Sequence, residues 1–117
     1  MSDRTYAGIP EEFATYEKAK VVILPVPYDG TSTWGKGADK GPEAFLEASE
    51  NMEIYDIESD SEVYKHGVFL CDPLECDSDP EKMTAQVKAA ALKYFNDGKM
   101  FSMIGGEHSV TIGAVMA

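Results

Sequence analysis

The sequence predicts an α/β fold of three layers, α/β/α, with a mostly parallel sheet. Three observations carry that expectation. Short apolar runs rich in β-branched residues alternate along the chain with segments of helical character. The runs are continuous rather than alternating, as strands buried on both faces require. Each leads into a stretch rich in Gly, Pro or small polar residues. Strands that alternate with helices are joined by right-handed crossovers, which pack helices onto both faces of a parallel sheet.

The first predicted strand is Ala19-Lys20-Val21-Val22-Ile23-Leu24, stopped by Pro25 and Pro27. Tyr28 to Pro42 follows as one long loop with four glycines, and loops of that length in compact domains are functional or mobile. Pro42 opens a helix over Glu43 to Met52, with Ala44, Phe45, Ala48 and Met52 as its buried side. Glu53 to Glu58 alternates polar and apolar and predicts an edge strand. Val68-Phe69-Leu70-Cys71 predicts another buried strand. The clearest helix is Glu81 to Asn96, with Asp79 as its cap ahead of Pro80 and Gly98 at its end. Its apolar stripe is Met83, Val87, Ala90, Ala91 and Tyr94. Met100 to Ile104 is a strand broken by Gly105-Gly106, and Val110 to Ala117 begins an apolar helix without a stop signal.

The chain has 117 residues, the length of one modest domain, with 44% hydrophobic and 26% charged residues. Ten Lys+Arg against 21 Asp+Glu leave a net charge of −11, and Arg4 is the sole arginine. Phosphate backbones are bound by clustered Lys and Arg, so a nucleic-acid role is excluded. The balance equally disfavours anionic membrane surfaces and suits a cationic ligand or a metal ion. No apolar run reaches the length of a membrane span, and the stretch Met1 to Gly8 holds no apolar leader core. Cys71 and Cys76 lack metal-site spacing and read as free structural thiols. The cytoplasm is the expected compartment.

In open α/β sheets, functional residues gather beyond the carboxyl ends of the strands. Two segments qualify, the loop after Leu24 and Gly105-Gly106-Glu107-His108-Ser109. The paired glycines let the backbone turn sharply beside a ligand. His108 then projects from the strand end, with Ser109 expected to cap the next helix. A neutral imidazole there suits a divalent metal, and its second nitrogen needs an orienting partner. Glu107, Asp29 and Asp72 are the carboxylates to consider. Judged by residue type alone, a lone histidine at a strand-to-helix turn is more often a hydrogen-bonded structural residue than a metal ligand. One histidine does not hold a catalytic metal, and His66 lies in an acidic region that does not join it. Trp34 either lines a site or pins its loop. Gly30, Gly35, Gly37 and Gly41 match neither a P-loop nor a dinucleotide fingerprint.

Taken together, three pieces resemble the agmatinase/arginase (ureohydrolase) family. These are Val21-Val22-Ile23-Leu24-Pro25-Val26-Pro27-Tyr28-Asp29-Gly30, then Gly37-Ala38-Asp39-Lys40-Gly41-Pro42, then Gly105-Gly106-Glu107-His108-Ser109, similar to that family's G-G-[DE]-H-S. The details lean towards agmatinase. The resemblance implies an arginase/deacetylase-like fold and hydrolysis of a guanidino compound to an amine and urea, in polyamine biosynthesis. It implies two manganese ions (Mn2+) sharing a bridging hydroxide, a small cationic substrate and a homo-oligomer of three or six subunits. His108 becomes a ligand of one manganese, and Asp29 and Glu107 either bind the substrate or fall in loops near the site. The arginine usual shortly after G-P is replaced by Phe45-Leu46. The motifs D-A-H-x-D and D-x-D-x-x-D-P, which supply the other ligands, do not occur. The chain is therefore expected to be a single partial domain over 1–117, cut short at its C-terminal end and inactive alone. The alternative is a non-catalytic binding or assembly module built on half of the fold.

Overall fold

A computed structural model describes residues 3–117. Met1 and Ser2, part of the stretch read for a leader, lie outside the described residues. Three strands, β1 (Val21–Val26), β2 (Val68–Leu70) and β3 (Met100–Gly105), form one sheet in the order β2-β1-β3, with both pairings parallel. The helices are α1 (Gly41–Ser49), α2 (Pro80–Asn96) and α3 (Thr111–Met116). The expected α/β architecture is present, with β1 at its centre.

β1 is buried from Val22 to Val26 because it is covered on both faces. Val22, Leu24 and Val26 pack with Met83 and Val87 of α2, and with Val110 just ahead of α3. Successive strand side chains point to opposite faces, so Ile23 and Pro25 lie on the other side, where Pro25 and Leu46 of α1 border one depression. Pro25 does not end the strand, contrary to expectation. The carbonyls of Ile23 and Pro25 point towards the β2 side and accept from Cys71 N (2.9 Å) and Leu74 N (2.9 Å). The β2 pairing ends at Ile23↔Leu70, so proline stands where no neighbouring strand asks for an amide donor.

α2 follows its expected pattern. Asp79 Oδ1 accepts from the amides of Glu81 (2.9 Å) and Lys82 (3.1 Å), and Met83, Val87 and Ala91 are buried. α1 departs from its expectation. Its buried stripe is Pro42, Leu46 and Ser49, whereas Phe45 and Met52 are half exposed and Ala44 and Ala48 face outwards. Ser49 is buried at little cost because its hydroxyl donates to Leu46 O (2.6 Å) and accepts from Ala7 N (3.2 Å). Arg4 reinforces that contact by pairing with Glu43 and Glu50, each at 2.7 Å.

The edge strand expected over Glu53 to Glu58 is absent. That segment turns back on itself through one antiparallel bridge, Asp56↔Ser61. The Asp56 carboxylate accepts from Glu58 N (3.0 Å) and Ser59 Oγ (2.5 Å), a local bonding pattern that competes with extended structure. With Ile57 85% exposed, the alternation there marks no buried face.

α3 packs on α2 at Gly113, where an added Cβ would lie 2.5 Å from Thr84 O and 2.8 Å from Val87 Cβ. No helix among the described residues is long and apolar enough to cross a membrane. The Gly113 contact yields a test. Alanine gains about 0.5–1 kcal/mol of helix propensity over glycine, but the carbonyl it meets belongs to rigid backbone, and overpacking costs about 1–3 kcal/mol. Gly113→Ala is expected to lower the urea unfolding midpoint; an unchanged or raised midpoint would show that the two helices are not in close contact.

Candidate active-site loops

Because β1 and β3 run parallel, both of their carboxyl ends open at the same edge of the sheet. The pairing continues past Gly105: Gly106 N donates to Val26 O (3.0 Å) and Glu107 N to Tyr28 O (3.2 Å). This zipping requires glycine at 106, since a Cβ there would lie 2.2 Å from Tyr28 O and 3.0 Å from Ala38 O. The loop after β1 and the Gly105–Ser109 turn are therefore one layer of structure. Tyr28 is buried beneath it, its hydroxyl directed at Ser78 O (3.4 Å).

The two carboxylates expected here are brought together, each with its own work. Asp29 accepts from Ser32 Oγ, Gly37 N (2.6 Å) and Ala38 N (3.1 Å), so it ties the two ends of the glycine-rich loop to each other. Lys36 Nζ adds bonds to the carbonyls of Asp29 (3.1 Å) and Ser32 (3.4 Å). The Ser32 hydroxyl, followed by the Gly37 amide, holds the Asp29 carboxyl below its ordinary range. Glu107 accepts from the Thr31 hydroxyl, Thr31 N (3.0 Å), Ser32 Oγ (3.1 Å) and Ser109 Oγ (2.5 Å). Burial pushes the Glu107 carboxyl up, but the donors from Ser109, Thr31 and Ser32 together outweigh it and leave it lowered.

Ser109 thus serves Glu107 instead of capping α3. It sits inside a short 3-10 turn, His108–Val110, that precedes that helix. His108 is exposed at the edge of a depression of about 210 Å³ bordered by Met103, Gly105, Gly106, Glu107 and Thr111. Neither of its ring nitrogens is hydrogen-bonded among the described residues. Glu107, Asp29 and Asp72, considered as partners for that ring, do not orient it: the first two are engaged in the loop, and Asp72 borders a separate depression with Arg4 and Leu70.

An exposed imidazole with both nitrogens free suits a divalent metal. It is one donor; no group of three or more His, Cys, Asp or Glu among the described residues could hold an ion. His66 stays apart, since it precedes β2 at the amino end of the sheet, where its carbonyl accepts from Lys20 N (3.3 Å). Trp34 is fully exposed and pins nothing among the described residues. Cys71 and Cys76 are unpaired, and burial raises both thiols, against a role as reactive thiolates. Sequence reasoning missed Thr31, Ser32 and Ser109 as partners of Glu107. Small hydroxyl residues occur in any loop, and only the pairing of this loop with the Gly105–Ser109 turn singles them out.

Comparison with known proteins adds to this geometry. The sequence profile of the Arginase family matches residues 19–117. The chain belongs to the arginase family. Among relatives of this arginase-family chain is the N(1)-aminopropylagmatine ureohydrolase of Synechocystis sp., 38% identical over 113 residues, which span 92% of this chain and 37% of that protein. The protein of the same name from Thermococcus kodakarensis is 34% identical, over 97% of this chain and 41% of its own length. The crystal structure of agmatine ureohydrolase of Thermoplasma volcanium superposes with a TM-score of 0.81 at 33% identity, covering 86% of this chain and 34% of that one. The chain therefore spans somewhat over a third of the length of the relatives it matches.

The lowered carboxylates set a pH dependence. Where a carboxyl titrates lower in the folded than in the unfolded chain, its stabilisation is fully present above the unfolded value and is lost as pH falls through the folded one. Stability is therefore expected to decline below about pH 4 to 4.5, and Asp29→Asn to flatten that decline, as read from urea midpoints across the acid range. An equal slope in wild type and variant would contradict the bonding described for Asp29.

Proposed function

We propose that these residues form the N-terminal portion of a manganese-dependent ureohydrolase, which splits a cationic guanidino compound into an amine and urea. Agmatine, or agmatine extended by an aminopropyl group, is the proposed substrate class. The observation that carries the reading is the presentation of His108, in an arginase-family chain, from the turn just past the carboxyl end of β3. The names of the relatives support the substrate class, and the net charge of −11 favours a cation.

In this reading His108 donates one imidazole nitrogen to a manganese ion, and the remaining ligands come from other parts of the full-length protein. The chemistry that a manganese ion would supply at His108 is a lowered pKa for water, and with it a nucleophile for the guanidinium carbon at neutral pH. Asp29 keeps the glycine-rich loop closed beside the site. By itself the 117-residue segment is proposed to be inactive. Assembly of the enzyme into a cytoplasmic homo-oligomer completes the proposal, and the exposed Ile112, Val115 and Met116 of α3 favour association.

The test is urea release by the full-length protein with Mn2+, supplied with agmatine or with N(1)-aminopropylagmatine. His108→Ala is expected to lower bound manganese and turnover by orders of magnitude while circular dichroism and the thermal midpoint stay near wild type. Full manganese content and turnover in His108→Ala would overturn the assignment, and absence of urea from every guanidino substrate would overturn the function.

A further inference from the structure

We infer that Glu107 is a positioning residue for His108, acting through a clasp with Thr31 and Ser109; the inference rests on the function proposed above. A carboxylate offers about four lone-pair sites. At Glu107 three are taken up within the fold, Oε1 accepting from the hydroxyls of Thr31 and Ser109 (the latter at 2.5 Å) and Oε2 from Thr31 N (3.0 Å), and Ser32 Oγ (3.1 Å) is a fourth donor that Glu107 shares with Asp29. A carboxylate engaged at both oxygens within the fold is poorly placed to ligate a metal, although it stands next to the residue that does. Its own amide is also held, by Tyr28 O at 3.2 Å. Residue 107 is thus fixed to the loop after β1 through backbone and side chain alike, and Ser109 closes the clasp from the other side of His108.

The consequence falls on the imidazole. His108 is exposed, and no neighbour orients its ring among the described residues, so its placement depends on the backbone that carries it. Groups that orient a metal ligand without touching the ion commonly contribute roughly ten- to a hundredfold to metal affinity. Glu107 contributes in this way by anchoring the peptide on which the ring is mounted. The closed loop after β1 is then a condition of tight metal binding, not only a wall of the site.

The experiment is calorimetric titration of metal-free full-length protein with Mn2+, comparing wild type, Glu107→Ala, Glu107→Asp, Thr31→Val/Ser109→Ala and the triple Thr31→Val/Glu107→Ala/Ser109→Ala. The clasp predicts that Thr31→Val/Ser109→Ala weakens manganese binding roughly tenfold or more with stoichiometry unchanged. Glu107→Ala should do the same, and the triple variant should be no weaker than Glu107→Ala, because one device has been removed by either route. Glu107→Asp should recover most of the affinity. A purely structural role would lower the thermal midpoint and leave the manganese affinity alone. Wild-type affinity in Thr31→Val/Ser109→Ala overturns the inference, and so does loss of one bound manganese per chain in Glu107→Ala, which would make Glu107 a ligand. Should Glu107→Ala not fold, Thr31→Val/Ser109→Ala decides. Failure of wild type to bind Mn2+ overturns the proposed function itself and is read separately, before any variant is compared.

Discussion

The contact between the Gly106 backbone and the carbonyl of Tyr28 sets the terms for this end of the molecule. A side chain at 106 would stand 2.2 Å from that oxygen, so only glycine lets the β1–β3 pairing run on past the sheet. Because it does run on, Glu107 N reaches Tyr28 O, and the carboxylate of Glu107 arrives beside Thr31 and Ser32. Without that approach the loop after β1 and the turn after β3 would be two separate exposed segments. With it they share hydrogen bonds, and His108 is carried on structure rather than on a free loop.

The acidic residues divide this work in a way their spacing conceals. Asp29 gathers the amides of Gly37 and Ala38 and closes its loop locally. Glu107 reaches across to a loop some 76 positions earlier in the chain. Ser32 stands between them, and its single proton serves one carboxylate at a time. Asp72, equally acidic and also just past a strand, lies on the far side of β1 and takes no part. Position across the sheet, more than charge, decides which carboxylate joins the site.

Much of the fold was legible because it rests on local signals. β-branched runs, the Asp79-Pro80 cap and the Met83–Val87–Ala91 stripe each specify their element within a few residues, and each is present. Three expectations failed where distant partners decide. α1 buries Ser49 instead of Phe45 because Ala7, 42 positions away, satisfies the serine hydroxyl. The alternation around Tyr55 and Ile57 looked like a strand but has no sheet to join. Pro25 kept its place in β1 because β2 is too short to need its missing amide. At the site, His108 and the turning role of Gly105-Gly106 could be read directly from residue type. The hydroxyl partners of Glu107 could not, since their meaning exists only once parallel pairing sets two loops side by side.

The turn carrying His108 is an extension of the sheet. Amide hydrogen exchange measures this directly at Gly106 and Glu107. The bonds to Val26 O and Tyr28 O predict that both amides exchange slowly, with protection close to that of the β1–β3 ladder. Exchange at both amides as fast as in an open glycine-rich loop, with the β3 ladder still protected, would contradict it.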